Sequence, residues 1–311
     1  MYLTYNNNWL AKGEHALAWY VPSALPAYTL RLLYKPGARP GAISSSMSFT
    51  QVSAEPNIWD MTYLTTNWWN PFDQARSAGA LDLLAVLDGN TTGVTDMSDL
   101  FYATPNLFYV AWFDTSAVTK MTSMFYGCRY LKEVPLYDTH NVTDMDNMFF
   151  ECESLETVPL FDTSNVSTPI ISTPGYGMND MFYGCTHLTS VPLFDTHTVL
   201  SMEGMFSGCI NLTEIPLFNT SSVQAFMSMC NNCRSIRSVP LLDTSSCLWM
   251  QDMFRDCINV ETGAYNLYAQ VSTQSRVPAY HDDAFTNCGS NTVSGAAELA
   301  LIPSSWGGTA P

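Results

Sequence analysis

Seven cysteines, Cys128, Cys152, Cys185, Cys209, Cys233, Cys257 and Cys288, follow one another at spacings of 24, 33, 24, 24, 24 and 31 residues. A period that recurs in this size range is the signature of stacked repeats. It constrains the fold more than any other feature, because each repeat buries its apolar face only against its neighbours.

One repeat runs from Leu131 through Val134, Pro135, Leu136, Asp138, Thr139 and Val142 to Met145, Met148, Phe149 and Cys152. The pattern restarts at Leu155, Leu188, Leu212 and Ile236, and runs back through Leu107 to a degenerate copy at Leu83 that keeps Val86, Asn90, Val94 and Met97 in register. Seven repeats therefore cover residues 83–259.

Met145, Met148, Phe149 and Cys152 fall at i, i+3, i+4 and i+7, the apolar stripe of a short helix. Gly127, Gly184, Gly208, Asn232 and Asp256 precede their cysteines and tolerate a left-handed backbone near a helix end, with Glu151 as the exception. The Leu-x-x-Val-Pro-Leu segment reads as a short strand that pairs in parallel with its copies. Pro135, Pro159, Pro192, Pro216 and Pro240 cannot donate to a ladder, so they belong at the strand's end, where the chain turns.

Outside the repeats, residues 1–57 form a non-repeat capping or attachment region. Residues 58–82, with Trp59, Trp68 and Trp69, read as an aromatic N-cap, and residues 260–311 as a C-terminal cap and tail. Caps are needed because an open end exposes a slice of core.

The recurring Asp-Thr-x-x-Val and Met-Phe-x-x-Cys elements, carried for example by Asp138 and Val142 and by Met148 and Cys152, resemble the BspA-like leucine-rich-repeat surface proteins. The likeness covers residues 83–288. It implies an α/β fold: a right-handed leucine-rich-repeat-like solenoid with short parallel strands and short helices, capped at both ends. It also implies a role in adhesion or ligand binding. Such repeats are common in gut bacteria and their phages.

Composition narrows the function classes. The formal charge is −16, with 12 Lys and Arg against 28 Asp and Glu. Such a chain lacks the basic stripe that displaces counterions from nucleic acid, so no nucleic-acid partner is expected. No run of about 18 apolar residues is present, so no membrane insertion is expected. The segment from Met1 to Leu10 has no positive region followed by an apolar one, which argues against a secretory signal. The expected location is a virion surface, with other virion proteins held through the N-terminal region, a host-surface glycan or protein as ligand and homo-oligomers open. The alternatives are a purely structural virion decoration protein, or a bacterial adhesin with an extracellular or cell-surface location.

No catalytic constellation emerges, and the protein is expected not to be an enzyme. Cys230 replaces a Phe and Cys247 a Val, so all nine cysteines fall on core positions and should be reduced. The column Asp114, Asp138, Asp162, Asp195 and Asp243 should lie at exposed turns, capping backbone N–H groups, since stacked carboxylates repel. No cofactor is expected. The alternative for that column is calcium, which prefers hard oxygen ligands. His140 and His197 share a turn position.

Ligand contacts are expected on the variable positions of the strand face: Arg129, Tyr130, Lys132, Glu156, His187, Thr189, Asn211, Arg234 and Arg237. A second candidate is the insertion 168–176, whose Ile170, Ile171 and Tyr176 are apolar for a surface loop.

Overall fold

In every repeat, and once more in the C-terminal cap, two residues four apart have a left-handed backbone. The pairs are Asp99 and Ala103, Ser123 and Gly127, Asn147 and Glu151, Asp180 and Gly184, Gly204 and Gly208, Ser228 and Asn232, Asp252 and Asp256, and Asp283 and Asn287, with φ from 52° to 77°. These angles come from a computed structural model, which describes residues 2–5, 8–12, 24–38, 40, 47–52, 57–68, 79–167 and 177–310.

A right-handed helix cannot pass through such residues. The stripe expected to be helical is therefore a run of tight turns, a correction to the sequence reading. Met124, Tyr126 and Cys128 donate to the carbonyls of Met121, Ser123 and Phe125, three residues back (3.2, 3.0 and 3.0 Å). The alternate N–H groups cross to the next repeat: Met121 to Asp144, Ser123 to Asp146, Phe125 to Met148 and Gly127 to Phe150 (2.7–3.0 Å). An isolated eight-residue helix is marginal in water and would keep its N–H groups to itself. The turn ladder instead gives each repeat three or four bonds to its neighbour. Burial is as the stripe implied, with Met121, Met124, Phe125 and Cys128 all fully buried.

The Leu-x-x-Val-Pro-Leu segments also differ from the expected strands. Single backbone bonds join neighbours there, such as Glu156 N–H to Lys132 (2.9 Å) and Thr213 N–H to Thr189 (3.2 Å). Beyond them four of the five proline carbonyls accept from the residue two positions on: Phe161 to Pro159, Phe194 to Pro192, Phe218 to Pro216 and Leu242 to Pro240 (2.8–3.0 Å). This is a γ-turn centred on the intervening leucine. The prolines do stand where the chain turns. Parallel bridges occur mainly elsewhere, just ahead of the methionine stripe, at Asp96–Lys120–Asp144 and at Ser201–Ala225–Trp249–Tyr280.

Columns of like side chains run through the stack. Phe101, Phe125, Phe149, Phe182 and Phe206 stack ring on ring, with centroids 5.5–5.8 Å apart. Buried threonines add a polar column: the hydroxyls of Thr115, Thr139, Thr163, Thr196 and Thr220 donate to the carbonyls of Asp138, Asp162, Asp195, Asn219 and Asp243 (2.7–2.8 Å). Each bond ties one repeat to the next inside a region where an unpaired carbonyl would be costly.

At the N-terminal side, β1 (Tyr2–Tyr5) and β2 (Asn8–Lys12) form an antiparallel pair. A second sheet has the order β4-β5-β3-β6-β7, built from β3 (Thr29–Tyr34), β4 (Met47–Gln51), β5 (Ile58–Tyr63), β6 (Leu83–Asn90) and β7 (Tyr109–Val110). The strand β6 belongs to the first repeat. It pairs in parallel with β7 of the second repeat and antiparallel with β3. The non-repeat region 1–57 thus supplies, through β3, the strand that pairs along the first repeat's open edge. Arg31 on β3 grips Asp60 on β5 through two 2.7 Å bonds, and Trp68 is fully buried. A four-residue helix, α1 (Gly79–Asp82), leads into β6.

At the other end, α2 (Ala264–Ser272) and α3 (Val293–Leu299) follow the last repeats. Gln270 Nε2 donates to the Leu242 carbonyl and Gln274 Nε2 to the Thr244 hydroxyl, both at 2.7 Å. These side chains finish the threonine column where no further repeat could. Glu298 accepts from the N–H groups of Gly263 and Tyr265 (3.2 and 3.0 Å), placing a carboxylate at the positive end of α2.

Candidate functional site

Burial along one repeat sorts what the backbone must hold from what it can present. Leu131, Val134, Tyr137 and Thr139 point inward, while Lys132, Glu133, Leu136, Asp138 and His140 are exposed. The same sorting recurs in neighbouring repeats, so exposed side chains line up in columns.

Arg129, Tyr130, Lys132, Glu156, His187, Thr189, Asn211, Arg234 and Arg237, expected from the sequence as ligand contacts, are all exposed. Most of them also bind neighbouring repeats. Arg129 meets Glu151 (3.2 Å) and Glu153 (3.4 Å), Lys132 meets Glu156 (2.8 Å) and Arg237 meets Glu261 (3.6 Å). His187 Nδ1 lies 2.7 Å from the Glu153 carbonyl, and Asn211 Nδ2 donates to Thr186 (2.8 Å). The carbonyl of Thr189 accepts from the Thr213 hydroxyl (3.1 Å), and Arg234 Nε donates to Asn232 Oδ1 (2.7 Å). Surface pairs of this kind contribute about 0–1 kcal/mol each. Ile170, Ile171 and Tyr176 lie outside the described residues.

The aspartates stand where the sequence placed them. Asp138, Asp162, Asp195 and Asp243 are exposed, and Asp114 is half-buried. Each caps the N–H two residues on: Asp114 with Ser116, Asp138 with His140, Asp162 with Ser164, Asp195 with His197 and Asp243 with Ser245 (2.9–3.3 Å). His140 and His197 add ring contacts to Asp138 and Asp195 (2.6 and 2.7 Å). The side chains of His140, Ser164 and His197, and the backbone N–H groups of Ser116 and Ser245, hold these carboxyls below the usual range. The column is therefore ionised at neutral pH. Among the described residues, no three His, Cys, Asp or Glu side chains gather as a metal site.

The sequence reading missed one column. Leu136, Leu160, Leu193, Leu217 and Leu241 are 54–65% exposed, and Trp112 takes the equivalent place one repeat earlier at 59%. At Leu160, Leu193, Leu217 and Leu241 the γ-turn pushes the leucine outward between a proline and a buried residue. Scattered exposed leucines need no explanation, but an aligned apolar ridge marks a contact surface.

All nine cysteines are free and buried. Burial pushes up the thiols of Cys128, Cys152, Cys185, Cys209, Cys230, Cys247, Cys257 and Cys288, to about 12 for Cys128, Cys247 and Cys288. That removes the thiolate a nucleophile or metal ligand needs.

No curated protein matches the chain. A crystal structure of a leucine-rich repeat protein from Eubacterium ventriosum is similar at 21% identity over 52% of this chain, with a TM-score of 0.38. The alignment spans 40% of that protein's length. The family described as "Mycoplasma protein of unknown function, DUF285" matches residues 69–170 and 176–280, well over half of the sequence, and the chain belongs to that family.

Proposed function

We propose that the protein is a non-enzymatic surface recognition protein, a right-handed solenoid of repeats that presents one face to a partner. The observation that carries this reading is the exposed column from Trp112 to Leu241, repeated in register on a backbone that turn-ladder hydrogen bonds tie to neighbouring repeats. An apolar ridge held in water on a rigid support favours covering by a partner. A family of repeat proteins fits this role, since such stacks offer long continuous surfaces.

In this reading the stack is a virion appendage, tail or head, that contacts a glycan or protein on the host surface, and residues 1–57 dock against other virion proteins. The variable positions from Arg129 to Arg237 tune the contact at its rim. Calcium is not part of the proposal, because each column aspartate already commits Oδ1 to its own turn. A bacterial cell-surface adhesin is the second reading, favoured by the family description, which names a bacterium.

Electron microscopy of the particle or cell that carries the chain tests this. Repeats pointing outward from a virion, with residues 1–57 against its other proteins, support the appendage. Repeats displayed on a bacterial envelope move the function to adhesion. A chain found only inside the cell, exposed to no outer surface, overturns both.

A further inference from the structure

We infer that the leucine ridge and the carboxylates beside it form a docking site for a cationic, amphipathic polypeptide segment. This deepens the recognition reading and rests on it for its biological setting. Residues 133–139 and their equivalents 157–163, 190–196, 214–220 and 238–244 contain no Lys or Arg. Two residues after each of Leu136, Leu160, Leu193 and Leu241 comes an exposed aspartate, Asp138, Asp162, Asp195 or Asp243. Glu133 and Glu214, also exposed, stand on the other side of Leu136 and Leu217. The buried residue between leucine and aspartate, Tyr137, Phe161, Phe194 or Leu242, anchors both in the core.

The ridge is therefore apolar along its crest, anionic on its flanks and rigid underneath. Its complement is a chain that alternates apolar side chains with lysine or arginine. Successive repeats rise by about 4.8 Å, the spacing of paired strands, so a segment lying along the stack meets a new leucine at each step. Charge rules out a second copy as occupant, since two such faces would set ionised carboxylates against each other. A neutral glycan fits less well, because a leucine crest offers no hydrogen bonds and the carboxylates can only accept them.

The test uses the full chain and a fluorescein-labelled 14-residue peptide of leucine and lysine in amphipathic order, followed by anisotropy at two salt concentrations. The expected result is saturable one-to-one binding that weakens with salt. The variant Leu160→Ser/Leu193→Ser/Leu217→Ser should weaken it at least tenfold with an unchanged circular dichroism spectrum. The variant Asp162→Asn/Asp195→Asn keeps the turn caps, as Asn219 does for Ser221, and should weaken binding while flattening its salt dependence. Asp252→Asn/Asp283→Asn removes two carboxylates that pair with Arg255 on the methionine turns, away from the ridge, and should leave binding unchanged.

Equal losses in all acidic variants with none in the leucine variant would reduce the binding to net charge and overturn the inference. So would failure of the peptide to bind at all, or a glycan that binds in its place and is lost with the leucines. Adhesion to intact bacterial cells separates this from the wider reading. If the leucine variant adheres as well as the parent, recognition stands and the docking site falls. If neither adheres yet the peptide binds at the ridge, the docking site stands and the host-surface role falls.

Discussion

The Cys185 thiol donates to the carbonyl oxygen of Phe149 in the preceding repeat, 3.1 Å away. The same bond joins Cys152 to Phe125, Cys209 to Phe182, Cys233 to Phe206 and Cys257 to Cys230 (2.9–3.1 Å). The periodic cysteine is thus a small apolar residue that also offers a weak donor, which alanine lacks. Cys185→Ala should lower stability by about 1–2 kcal/mol through a lost bond and a small cavity. Denaturant unfolding measures this. A thiol reagent at pH 8 should label none of the nine cysteines in the folded protein and all nine after denaturation.

Tyr137 holds the position occupied by Phe161, Phe194 and Phe218 in other repeats, yet its buried hydroxyl has no hydrogen-bond partner among the described residues. An unsatisfied buried hydroxyl costs about 1–3 kcal/mol. Tyr137→Phe should therefore raise the unfolding midpoint. A lower midpoint would show that the hydroxyl does have a partner.

Stability should depend on pH through Asp146. The residue is 1% exposed and Oδ1 accepts from the N–H groups of Gly177 (2.6 Å) and Asn179 (2.9 Å), while Oδ2 has no partner among the described residues. Burial, with Asp144 and Asp180 nearby, pushes its carboxyl up to about 7. Burial likewise pushes Asp180 up to about 6. A carboxyl raised in the folded state holds its proton there after the unfolded chain has lost it. Stability therefore falls as pH climbs from about 4 to about 7 and stays low above that. Asp146→Asn should flatten this slope and stabilise the protein at pH 8 by about 2 kcal/mol, while changing little at pH 4. Urea midpoints across that range would show it, and an unchanged slope would contradict it.

Ala103 stands at φ 52°, where the next repeat has Gly127 at φ 70°. A left-handed alanine costs roughly 1 kcal/mol relative to glycine. Ala103→Gly should accordingly stabilise, and Gly127→Ala should destabilise by a similar amount, both read from thermal midpoints.

The columns were legible because one period carried several residue types together. Cys128 and its copies are buried, and Asp138 and its copies cap exposed turns, as the sequence implied. The helix was a misreading with a definite cause. The spacing of Met145, Met148, Phe149 and Cys152 suits a helical stripe, but a ladder of turns buries the same four side chains. Asn147 and Glu151, four apart and both left-handed, distinguish the two. Asp, Asn, Gly and Ser crowd these two positions in the other repeats, a signal present in the sequence. The leucine ridge escaped notice because Leu136 was taken with the strand. Inward residues spaced three apart, Leu131, Val134 and Tyr137, do not fit the two-residue alternation of a strand, and they leave Leu136 facing out. The pairing of β3 with β6 was not legible, because β3 lies where no repeat pattern guides the reading.

The central claim is that the leucine column serves recognition and not folding. Its most direct test measures one variant, Leu160→Ser/Leu193→Ser/Leu217→Ser, for thermal stability and for adhesion to intact bacterial cells. The account predicts a midpoint within about 2 °C of the parent, since surface substitutions stay within about 0.5 kcal/mol each, together with loss of adhesion. A midpoint lowered by many degrees, or full adhesion by a variant without its ridge, would contradict it.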